Sequence, residues 1–271
     1  MATDRLDNIV TRPVKFGPVG HCIYCGTTDG KMTDEHIVPY GLAGNSLVLP
    51  ASSCIPCAEI TRDIENDVLR KQMIHIRTAL NVKTRNKKDR LTEFKLHQSF
   101  SEDGTFEDAA SQDAPVQPKD FPWRFHALMM DQAGFLRGVP KFEPLPWKHW
   151  SIGPAPTIPT TEKRTVATYV GQINPYTFAR FLAKIGHSYA YAYHGSAFAP
   201  MLLDLINGKT NGAFRYWIGG DLAVQPPQPG RLHHVSLQKV QRGGSTYLVS
   251  VIHLFRLLGT PVFHAVVGRL R

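Results

Sequence analysis

Between His21 and Cys57 the chain reads H-C-I-Y-C (21–25), T-D-E-H-I-V-P (33–39), G-N-S-L-V-L-P (44–50) and C-I-P-C (54–57). Cys22 and Cys25 make one Cys-x-x-Cys pair, Cys54 and Cys57 the other, and these are all four cysteines of the chain. Each pair presents two thiolates to one side of an ion. Two pairs joined by a loop close a tetrahedral four-sulfur zinc site, with Zn–S bonds of roughly 2.3 Å. No cysteine is left over, as the spacing for a single metal requires. Two disulfides, or four unrelated buried thiols, are the rival reading. Thiolates on zinc suit a reducing compartment better, so a cytoplasmic location is expected. A redox role would need a thioredoxin-like βαβ pattern around a pair, and none surrounds these.

The residues between and after the pairs set the local structure. Thr33 to Pro39 reads as a short extended piece ended by proline, with Gly41 and Gly44 in the loop that follows. Leu47, Val48 and Leu49 read as the buried strand of a hairpin. Pro56 stands where the first turn of a helix tolerates it. Beyond it Ile60, Ile64, Val68, Leu69, Met73, Ile76 and Leu80 recur close to the helical period of about 3.6. The expected order is knuckle, hairpin, helix.

D-E-H-I-V-P after a first Cys-x-x-Cys, and L-V-L-P before a second, resemble the HNH (ββα-metal) endonucleases, in the subgroup with a four-cysteine structural zinc. The resemblance covers roughly residues 20 to 70. It implies a zinc-stapled ββα module that hydrolyses phosphodiester bonds in DNA. Such hydrolysis needs a base for water and a cation to offset the charge developing on phosphate and leaving oxygen. The resemblance places the base at His36, a residue type that accepts a proton near neutral pH. It makes Glu35 the ligand of a catalytic metal, and a carboxylate suits a hard ion such as Mg²⁺ or Mn²⁺. Asp34 is a second carboxylate in reach, as the ligand instead or as a group orienting His36 or a metal-bound water. Neighbours on a strand point to opposite faces, so Asp34 and Glu35 are not expected to ligate together. The family's middle asparagine, which holds loop and base in place, falls at Asn45, with Ser46 as the alternative because it intervenes before the L-V-L strand. The final His or Asn of the subgroup is replaced by Ala58, which cannot ligate. Glu59, Thr61 and Glu65 follow on the same helix, and the third ligand stays unassigned among them. The zinc itself would be structural, since a closed four-cysteine site has no position open to water.

The remainder of the 271 residues divides by composition. Residues 1–20 form a lead-in broken by Pro13, Gly17, Pro18 and Gly20, and the zinc module spans 21–97. A basic run of Lys83, Arg85, Lys87, Lys88 and Arg90 follows the helix, either neutralising phosphate or forming a solvated turn. Residues 98–120 carry Glu102, Asp103, Glu107, Asp108 and Asp113 with few large apolar side chains, an acidic linker or long loop. Residues 121–271 are expected to form an α+β domain with antiparallel strands and one long helix. In it, F-H-A-L-M-M and F-L-R-G-V flank D-Q-A-G as a hairpin. Pro140 to Pro159 is irregular, and Asn174-Pro175 opens the helix, whose apolar face is Phe178, Phe181, Leu182, Ile185 and Tyr189. The scattered histidines His187, His194, His233, His234, His253 and His264 read as structural or surface residues.

The formal net charge of +9 favours an anionic partner, with DNA the leading candidate. The first residues hold no apolar core of a secretory signal, and the run Y-L-V-S-V-I-H-L-F-R-L-L-G is too short to span a membrane, so no membrane partner is expected. The fold class is therefore α+β and the function that of a metal-dependent HNH-like endonuclease. The alternative, favoured by Ala58, is a non-catalytic zinc-binding module that binds nucleic acid or a protein partner.

Overall fold

The computed structural model of the chain describes residues 14–44, 47–82, 92–101, 110–117, 125–153, 165–168, 173–210, 212–223 and 225–271. In the N-terminal part, β1 (Val14–Lys15) pairs parallel with β3 (Leu47–Cys54), and β3 pairs antiparallel with β2 (Met32–His36). One turn of helix, α1 (Tyr40–Ala43), lies between β2 and β3. The helix α2 (Ile55–Asp67) follows β3 directly, with proline in its first turn as expected. It runs on through a single wider π turn, Val68–Gln72, into α3 (Ile74–Ala79). The periodic residues Ile64, Val68, Leu69, Met73 and Ile76 are buried, which is what joins the three helical pieces into one buried stripe.

The next strands form two smaller sheets. β4 (Phe94–Ser101) pairs with β5 (Ala110–Val116) and with β8 (Thr165–Thr168). The acidic stretch 98–120 thus supplies a strand, because ladder hydrogen bonds come from the main chain and need no apolar side chains. β6 (Phe125–Met130) pairs with β7 (Trp147–Ile152), inside the stretch expected to be irregular. The segment expected to return as the second hairpin strand is instead a helical turn, α4 (Gly134–Arg137), closed by Gly138 at φ +78°. Gly134 sits so close to Leu145, Val139 and Tyr216 that a Cβ would lie 2.9 to 3.2 Å from their side chains, so packing overrides the turn pattern there.

The second half is built on α5 (Pro175–His194). The Asn174 side chain caps it by accepting from the N–H groups of Tyr176 and Thr177, each at 3.1 Å. Short elements follow: β9 (Phe198–Pro200), α6 (Leu203–Ile206), α7 (Phe214–Trp217) and β10 (Ile218–Gly220). The hairpin of β11 (His234–Arg242) and β12 (Ser245–His253) turns at Gly243-Gly244, and β13 (Phe263–Leu270) closes the sheet. Its strand order is β10-β13-β12-β11, antiparallel, with β9 also on β13. Gly186 lets α5 lie directly on β12 and β13, its missing Cβ falling 3.1 Å from Ala265 Cβ and 3.2 Å from Ser250 Cβ. The whole is α+β, as expected. One contiguous core runs from Cys22, Ile37, Leu49 and Ile76 through Phe178, Phe181 and Ile185 to Ile252 and Phe263, so the cysteine-bearing part and α5 share their apolar interior.

Candidate metal centre and the acidic motif beside it

The two Cys-x-x-Cys pairs meet because β2 and β3 pair. Cys22 and Cys25 sit on a tight turn in which the Gly26 N–H donates to the Cys22 carbonyl at 2.8 Å, with Gly26 at φ +79°. The Ile23 N–H donates to the Ser52 carbonyl at 2.9 Å and so ties that turn to β3. Cys54 ends β3, opposite Met32, and Cys57 lies in the first turn of α2. The four Sγ atoms all lie within 4.8 Å of one another, and Cys25 Sγ is 3.6 Å from Cys54 Sγ. All four cysteines are free thiols. A tetrahedral zinc with bonds near 2.3 Å has S–S edges of about 3.8 Å, so the donors fit zinc in kind and in spacing. Burial acts to raise the Cys22 thiol, yet main-chain N–H groups of Cys54, Cys25 and Tyr24 outweigh it and bring its pKa down to about 7. Burial, with the neighbouring thiols, pushes Cys57 the other way, and a bound metal displaces the proton held there. Among the described residues this is the one group of three or more His, Cys, Asp or Glu side chains placed to hold a metal ion.

The acidic motif lies on β2, and the strand sorts its side chains. Asp34 is exposed, Glu35 is buried at 4 % exposure, and His36 is half-buried. The ladder is irregular at Asp34: Thr33 faces Ser53 and Glu35 faces Leu49, so β3 spends extra residues there. Ala51, at φ +46°, forms the bulge, and its N–H donates to Asp34 Oδ1 at 3.1 Å. Glu35 turns inward, whereas Asp34 is exposed and His36 half-buried. The His36 ring meets the Tyr40 ring edge to face at 5.9 Å.

Inward, Glu35 meets a residue of α5. Lys184 Nζ lies 2.5 Å from Glu35 Oε1 and 2.7 Å from Glu65 Oε1, and it donates to the main-chain carbonyl of His36. The Ile37 carbonyl is a fourth oxygen, at 3.5 Å, so four acceptors share the three donors of the ammonium. Lys184 is 0 % exposed. Burial acts to lower its pKa, but Glu35 and Glu65 outweigh burial and hold it above the ordinary lysine value. Glu35 is raised, first by its own burial and then by the neighbouring Glu65 carboxylate, against the lowering effect of Lys184. Glu65 stands about two helical turns past Cys57, on the same face of α2. Of the other helix residues considered, Glu59 is exposed beside Arg62 at 3.9 Å, Thr61 Oγ1 donates to the Ala58 carbonyl at 3.2 Å, and Ala58 has no side-chain donor. Asn45, Ser46 and the basic run Lys83, Arg85, Lys87, Lys88 and Arg90 lie outside the described residues.

Sequence reasoning missed Lys184 and the stripe around it. His187 Nε2 lies 2.8 Å from the Ile23 carbonyl, Tyr24 Oη lies 3.3 Å from Ser188 Oγ, and His21 Nε2 lies 2.6 Å from Tyr191 Oη. Positions 184, 187, 188 and 191 follow the three-and-four spacing of one helix face. The available signal was a lysine, a histidine and a serine interrupting the most apolar helix of the chain, F-L-A-K-I-G-H-S-Y. No protein-family model, curated protein or solved structure matches the chain.

Proposed function

We propose that the chain is an HNH-like endonuclease that hydrolyses phosphodiester bonds in DNA, with His36 as general base. The observation that carries this reading is the placement of His36. It ends the strand of a hairpin whose base holds the four cysteines, a helix follows at once, and its side chain is half-buried rather than sealed in the core. Zinc on Cys22, Cys25, Cys54 and Cys57 fixes hairpin to helix and takes no part in the chemistry. His36 takes the proton of the attacking water. The net charge of +9 favours a polyanionic substrate.

The seat beside Glu35 does not fit a divalent metal, since Lys184 fills the space between Glu35 and Glu65. Asp34 is the motif carboxylate that a hydrated Mg²⁺ or Mn²⁺ can reach, because such ions are commonly held by one or two carboxylates with water and substrate phosphate completing the shell. The test is plasmid nicking by the zinc-loaded protein with Mg²⁺, Mn²⁺ or EDTA, beside His36→Ala. Metal-dependent cutting that falls about 10²- to 10⁴-fold in the variant is the expected result. Cutting unchanged in a folded His36→Ala would remove the base from the account.

A second reading, a non-catalytic zinc module that binds nucleic acid or a protein, draws on the pairing of Glu35 with Lys184 and on Ala58. It predicts DNA retention that weakens steeply with salt and no cutting in any metal.

A further inference from the structure

We propose that Glu35 and Glu65 form a cation site whose resident cation is the chain's own Lys184, so that Glu35 takes no exchangeable divalent metal in the folded protein. Two carboxylates from different elements, β2 and α2, converge on one point, with the His36 carbonyl as a third oxygen. Three oxygens around one point make the donor set of a hard cation. The ammonium at that point meets all three, and the Ile37 carbonyl stands at 3.5 Å as a fourth oxygen, so none of its three donors is spare. Mg²⁺ and Mn²⁺ in such sites keep part of their water shell, and here the point between the carboxylates is already taken by an ammonium at 0 % exposure.

The arrangement extends along α5. The helix that carries Lys184 is held to the cysteine-bearing turn by His187 on the Ile23 carbonyl, Ser188 on Tyr24 and Tyr191 on His21, which keeps the lysine at the seat. The apolar core shared by α2, β3 and α5 holds it further. The ammonium therefore acts where a metal would, drawing strand, helix and second half onto one charge. The proposal concerns the seat alone and stands whether or not the protein cuts DNA.

Mn²⁺ binding tests it, followed by electron paramagnetic resonance on zinc-loaded, full-length protein. Wild type and Glu35→Gln are expected to bind Mn²⁺ identically. Loss in Glu35→Gln of a Mn²⁺ site present in wild type, with zinc content and circular dichroism unchanged, would overturn the proposal. Lys184→Ala supplies the converse. With the seat emptied, saturating Mn²⁺ is expected to raise its Tm by about 5 °C or more, to leave the wild-type Tm unchanged, and to lose its effect in Lys184→Ala/Glu35→Gln. A folded, zinc-loaded Lys184→Ala that ignores Mn²⁺ would show that the carboxylates do not form a cation site. Should Lys184→Ala not fold, the comparison of wild type with Glu35→Gln decides alone.

Discussion

A histidine sealed inside a protein must stay neutral or unfold it, and His187 is in that position. It is 0 % exposed, and burial pushes its pKa down to about 4, although the Ile23 carbonyl acts to raise it. For a base whose folded pKa is depressed, the stability it contributes is present above the unfolded value, near 6.5, and drains away as pH falls towards the folded value. Between pH 7.5 and 5 this one residue should cost about 2 kcal/mol. Urea unfolding of wild type and His187→Gln across that range, at saturating zinc, checks it: the variant's curve should be flatter by about that amount, and parallel curves would deny the role. Other groups show the limit of local reading. The four-cysteine cluster was legible because metal binding imposes one residue type at short spacing. Lys184 was not, since it lies 148 residues from His36 and its identity makes sense only once α5 meets β2.

Elements were legible where one periodicity dominated. The hairpin strand Leu47–Cys54, the helix from Ile55 and the capped helix from Pro175 all follow patterns visible in the chain. The π turn at Val68–Gln72 was hidden, because its residues continue the helical spacing. The partner of β6 was misplaced because D-Q-A-G has turn composition, while tertiary packing around Gly134 decides its conformation. The four-cysteine cluster belongs to this scale, since it joins the turn at Cys22, the end of β3 and the start of α2 and could hold a metal such as zinc. Since α5 shares a core with those elements, zinc should stabilise the chain well beyond them. Chelation or Cys54→Ser is expected to lower Tm by about 10 °C or more, in one calorimetric transition that includes α5. Two transitions, the later one unmoved by zinc, would show that the halves unfold independently.

At the scale of the molecule, composition pointed to an anionic partner through the net charge of +9, and fold class followed from the order of elements. Among the described residues no helix is long and apolar enough to cross a membrane. What composition could not convey is that the strand bearing the acidic motif buries one of its two carboxylates and exposes the other. Glu35 is buried and meets the second half of the chain through Lys184, while Asp34 is exposed and His36 is half-buried against Tyr40. That division is the centre of the account, and one measurement addresses it most directly: initial rates of DNA cleavage by zinc-loaded wild type, Asp34→Asn, Glu35→Gln and His36→Ala under one set of Mg²⁺ conditions. Losses of about 10²-fold or more in Asp34→Asn and His36→Ala, with Glu35→Gln within a few-fold of wild type, are the predicted result. A folded Glu35→Gln as inactive as His36→Ala, beside an active Asp34→Asn, would contradict it and return the metal to the inner carboxylate.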